Sequence, residues 1–96
     1  MDFLVCQRDT IRDSEFHIPL ENMKDQDEAV SKARDIANDF KEGDTVGLFT
    51  QDGVAIRGWK VLSGGKLRNE PADIIQDKCR VYPGSFDFAK SQPSPE

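Results

Sequence analysis

The sequence predicts a small two-layer α+β domain, ββαββ with one further candidate strand, in which a mainly antiparallel sheet carries one amphipathic helix on one face. Three observations point there. Apolar residues recur at helical spacing across residues 25–44, they alternate with polar ones in the runs on either side, and Gln51-Asp52-Gly53 separates two runs of strand-forming residues as a hairpin turn does. With 96 residues the chain holds one domain, because a domain of this size hides only about two thirds of the surface its unfolded chain exposes. We place that domain at residues 1–85 and read residues 86–96 as a flexible C-terminal tail, whose Phe86 and Phe88 are candidates to fold back over Trp59.

The first two strands are DFLVCQR and SEFHIPL, joined by the polar link DTIRD. In the second, Phe16, Ile18 and Leu20 fall on one side and Glu15, His17 and Pro19 on the other. Pro19 cannot donate a ladder hydrogen bond, so this strand ends there or lies at an edge.

The helix follows. Ala29, Val30, Ala33, Ile36, Ala37 and Phe40 line one side, and Lys32, Arg34, Asp35 and Asp39 the other. Asp25 with Glu28 forms a capping-box-like start, and Asp25, Asp27 and Glu28 sit at the positive end of the helix dipole. These acids read as caps and solvated face, not as cation ligands. Lys41 stands near the other end, and Gly43 supplies a left-handed stop.

The hairpin TVGLFT and VAIRGWKVL comes next, and its register decides which side chains face the helix. A two-residue loop would mix polar and apolar groups on both faces. A three-residue loop with Gly53 left-handed pairs Thr50 with Val54, Leu48 with Ile56 and Val46 with Gly58. That register sends Val46, Leu48, Val54 and Ile56 toward the helix. It leaves Phe49, Ala55, Arg57, Trp59 and Val61 on the opposite face, with Gly47 opening space between the larger groups. Beyond it, SGGKLR reads as a mobile basic loop, NEPADIIQD as a short helical turn and KCRVY as the further candidate strand.

Function is less legible. The apolar runs are far shorter than the roughly 20 residues that cross a bilayer, and the start lacks the charge and apolar run of a signal peptide, so the chain is expected in the cytosol with no membrane partner. Cys6 and Cys79 lack CxxC or CxxH spacing, which supports neither a zinc ribbon nor a thioredoxin-type pair; they read as reduced, half-buried thiols, and no metal or cofactor is assigned. No nucleotide-binding, zinc-protease or nucleophile-elbow motif occurs, and His17 beside Glu15 lacks a nucleophile, so no catalytic residue is assigned. The strand and helix order is common among small bacterial and phage domains and brings no site residues with it.

Two binding readings follow. In the first, Phe49, Arg57 and Trp59 form an adaptor or inhibitor-type surface on the sheet face away from the helix, meeting a protein partner or a second copy of the chain, unless Phe86 and Phe88 cover it. In the second, Arg57, Lys60, Lys66 and Arg68 contact nucleic acid phosphates. The net charge of −5 argues against the second. Residues 1–44 hold twelve acids against six Lys and Arg, a balance of −6, so the acidic half is also a candidate mimic of DNA.

Overall fold

Asp9 closes the first hairpin by accepting hydrogen bonds at its Oδ1 from the backbone N–H groups of Ile11 and Arg12, at 3.0 and 3.1 Å, an Asx-type turn. It joins strands β1 (Phe3–Asp9) and β2 (Ser14–Leu20). The structure is a computed structural model and describes residues 1–9, 11–12 and 14–79. Helix α1 (Gln26–Ala37), the strand pair β3 (Thr45–Thr50) and β4 (Ala55–Val61), strand β5 (Leu67–Glu70) and helix α2 (Ala72–Lys78) follow. The five strands form one sheet in the order β2-β1-β3-β4-β5, every neighbouring pair antiparallel. The predicted α+β class holds, and Pro19 lies on an edge strand.

Helix α1 starts where expected. Asp25 accepts from the Glu28 N–H at 2.9 Å, and the Glu28 carboxylate accepts from the Lys24 N–H at 2.6 Å. The helix ends at Ala37, six residues short of Gly43, because the chain tightens: the N–H groups of Asp39 and Phe40 donate to the carbonyls of Ile36 and Ala37 at 3.0 and 3.1 Å. Ala29, Ala33 and Ala37 are fully buried against Phe3, Val5, Leu20, Val46, Leu48, Trp59 and Val61. Three methyl-sized contacts let the helix axis approach the sheet closely.

Two expectations about the second half are corrected. The fifth strand is Leu67–Glu70, which spans the end of the expected SGGKLR loop and the start of the expected NEPADIIQD helical turn; of KCRVY, Lys78 ends α2 and Cys79 caps it, and the remainder of that run lies outside the described residues. The sheet is also covered on both faces. Helix α2 packs on the side opposite α1, burying Leu4, Cys6, Phe49, Ala55, Ile75 and Cys79 as a second core. Gln76 ties α2 to the β3–β4 turn, donating from Nε2 to the Gly53 carbonyl and accepting at Oε1 from the Ala55 N–H, both at 2.9 Å.

The third correction concerns register. The turn is as expected: Gly53 has φ 81°, and the Thr50 N–H donates to the Val54 carbonyl at 2.9 Å. Phe49 faces Ala55, but the next pair is Leu48 with Arg57, followed by Gly47 with Gly58 and Val46 with Trp59. Ile56 is therefore an extra residue, a β-bulge, and everything beyond it is displaced by one position. Because strand side chains alternate faces, that single residue moves Trp59 and Val61 to the α1 side.

The bulge also explains two glycines. Gly47 and Gly58 face each other under α2, and Ile75 descends between them. A β-carbon on Gly47 would meet Ile75 Cγ2 at 2.5 Å, and one on Gly58 would overlap Ile75 Cγ1 and Cδ1.

Candidate functional site

The structure separates the predicted binding residues. Phe49 and Trp59 are both fully buried, and they lie in the two different cores. The expected aromatic patch of Phe49, Arg57 and Trp59 is therefore not formed, since no face displays both rings. Arg57 is exposed, with its guanidinium carbon 6.0 Å from the Trp59 ring centroid, and it forms part of the cover over the indole. Lys60 pairs with Arg68 across β4 and β5, on the face opposite Arg57. Arg68 Nε and Nη2 donate to Glu70 Oε1 at 3.2 and 2.8 Å, and Lys78 Nζ lies 3.9 Å from Glu70 Oε2. Lys66 is exposed between the short turn Ser63–Gly65 and β5. The basic segment is thus split between two faces and partly neutralised. Whether Phe86 and Phe88 dock anywhere concerns residues outside those described.

A different surface brings chemistry together. The inward side of β1 runs Phe3, Val5, Gln7, Asp9, turning from apolar to polar toward the first hairpin. Beyond the end of α1 this polar portion floors a cleft of about 490 Å³, walled by Phe16 and Phe40 and edged by Arg12, Asp39, Lys41 and Asp44. Asp44 is 2% and Asp9 4% exposed. Gln7 Nε2 donates to Asp44 Oδ2 at 2.7 Å. Lys41 Nζ donates to Asp9 Oδ2 at 2.6 Å. That lysine, with the two turn N–H groups, holds the Asp9 carboxyl below the ordinary carboxylate range despite its burial. Phe16, by contrast, is 60% exposed.

Phe16 shares the side of β2 that carries Ile18 and Leu20, as its spacing predicts, but α1 stops too early to cover it. The polar pair Gln7 and Asp9 at inward positions was the available signal. Buried polar groups must find partners, and here Gln7 and Asp9 find them in Asp44 and Lys41.

On the α2 side lies a second constellation. Cys6 of β1, Glu15 of β2 and Cys79 at the end of α2 bring Sγ, a carboxylate oxygen and Sγ within 4.8 Å of one another. Both cysteines are free thiols and fully buried, not half-buried as expected. Hydrogen bonding to Cys79, burial and the Glu15 charge push the Cys6 thiol above its ordinary range. His17, opposite Cys6 in the ladder, has its Nε2 2.9 Å from Glu15 Oε2, and Arg8 Nη1 lies 3.8 Å from Glu15 Oε1.

No protein-family model, curated protein or solved structure matches this chain. Among the described residues no helix is long and apolar enough to cross a membrane.

Proposed function

We propose that the chain is a non-catalytic, cytosolic protein-interaction module that receives a basic side chain of its partner in the cleft between Phe16 and Phe40. The observation that carries this reading is the exposed Phe16 ring, held on an ordered strand beside the nearly buried carboxylates of Asp9 and Asp44. An aromatic wall over a carboxylate floor suits a guanidinium or ammonium group, through ring contact worth about 0.5–2 kcal/mol and through charge-assisted hydrogen bonds. The sign of the field agrees. Asp9, Asp39 and Asp44 oppose Arg12 and Lys41, three negative charges against two positive, and with Lys41 paired to Asp9 the remainder is two negative against one positive. The excess of acids in residues 1–44 extends the same polarity over this half of the molecule and favours encounter with a basic partner.

The nucleic-acid reading draws less support, since Arg68 is held by Glu70 and Arg57 lies over Trp59. Titration of ¹⁵N-labelled protein with short arginine-rich, acidic and neutral peptides, and with a single-stranded oligonucleotide, tests both readings. The expected result is a set of amide shifts at Gln7, Phe16, Phe40 and Asp44 with the arginine-rich peptide alone, abolished by Phe16→Ser. Shifts confined to Lys60, Lys66 and Arg68 with the oligonucleotide, lost in Lys66→Glu, would establish the rival instead.

A further inference from the structure

We propose that Cys6, Cys79 and Glu15 form a binding site for a thiophilic divalent cation of the Zn²⁺ class, on the opposite face of the sheet from the Phe16 cleft. The three donor atoms lie within 4.8 Å of one another, from three separate elements brought together only by folding. A tetrahedral zinc ion, with bonds of about 2.3 Å to sulfur and about 2.1 Å to oxygen, needs donors roughly 3.5–3.8 Å apart. Small rotations of χ angles close that difference.

The carboxylate is what points to a metal. Two buried thiols alone would make an apolar pair or a disulfide, and neither calls for an anion beside the sulfurs. Glu15 nevertheless stands there, its side chain only 15% exposed and its oxygens approached by His17 at 2.9 Å and Arg8 at 3.8 Å. A carboxylate oriented by a histidine and an arginine is the kind of support that outer partners give a ligating group. The charges also close. Binding expels two thiol protons to solvent, the three ligands then carry −3, and a divalent cation with Arg8 supplies +3. The fourth corner falls to a water molecule, while His17 stays on the Glu15 carboxylate. The consequence is structural: the ion would clamp the end of α2 to the β1–β2 hairpin, joining the last described element to the first.

The chain holds two cysteines and one histidine, so any thiolate signal must come from this pair. One equivalent of Co²⁺ added to the full chain, under a phosphine reductant that keeps the thiols reduced, is expected to give a sulfur-to-cobalt charge-transfer band and intense visible bands of a tetrahedral ion. Zn²⁺ is expected to bleach both and to raise the melting temperature. Cys79→Ser should halve the charge-transfer intensity, and Glu15→Gln should weaken Co²⁺ affinity by about tenfold or more. Glu15→Gln preserves the size of the side chain and is expected to retain the native circular dichroism, which keeps the test valid even if the cysteine variants unfold. Absence of the band at one equivalent, or an affinity unchanged by Glu15→Gln, overturns the proposal.

Discussion

Ile75 occupies the space in which Gly58 would carry a β-carbon. This contact seats α2 on the sheet, and it exists because Gly47 and Gly58 face each other, leaving a strip without side chains beneath the helix. Gly58→Ala is therefore expected to overpack the second core and cost about 1–3 kcal/mol. Ile75→Ala alone leaves a cavity and costs about 2–5 kcal/mol. The double variant should lose less than the sum of the two, as urea denaturation of all four proteins will measure.

Trp59 is fully buried, and its Nε1 finds no hydrogen-bond partner among the described residues. Its fluorescence should be blue-shifted and resistant to acrylamide. Trp59→Ala should cost about 3–5 kcal/mol, a cavity-sized loss, whereas Trp59→Phe should cost less because it also removes an unsatisfied N–H. Emission typical of a solvated indole would contradict this placement.

Stability in acid should depend on Asp9. Its carboxyl titrates lower in the folded protein than in the unfolded chain, chiefly through the hydrogen bond from Lys41. The stabilisation is thus fully present above the unfolded value, near 4, and is lost as pH falls through the folded one. Thermal unfolding between neutral pH and about pH 2 should show this decline. Asp9→Asn should start from a lower melting temperature and fall less steeply, and Lys41→Met should move the decline to higher pH.

Phe16→Ser separates recognition from folding. The ring is 60% exposed, so stability should change by no more than about 0.5 kcal/mol while binding of an arginine-rich peptide is lost. A large drop in stability would mean that Phe16 belongs to the core and not to a binding cleft.

Much of the fold could be read from local signals. Asp25 and Glu28 marked the helix start, the alanine stripe marked its buried side, and Gly53 marked both the hairpin and its three-residue loop. Ile56 carried no such mark. A bulge is fixed by what packs above and below the strand, here the seat for Ile75 on one face and the fit of Trp59 beneath α1 on the other, and both are long-range facts. With that residue unseen, the indole was placed on the wrong face, and the binding patch went with it. The cleft was half legible, because Gln7 and Asp9 stand at inward positions, but the early end of α1 that exposes Phe16 was not. Cys6 and Cys79 are far apart in the chain, and only the packing of α2 over β3 and β4 brings the Cys79 end of the helix to Cys6.

The face to which Trp59 turns is the relationship on which both cores, and the transfer of recognition from the indole to the Phe16 cleft, depend. It can be read from through-space proton contacts of the single indole in the labelled protein. Cross-peaks from the Trp59 ring to the methyl groups of the α1 alanines, with those of Ile75 reaching Phe49, are the expected result. Cross-peaks from Trp59 to the Ile75 methyls and none to α1 would contradict it.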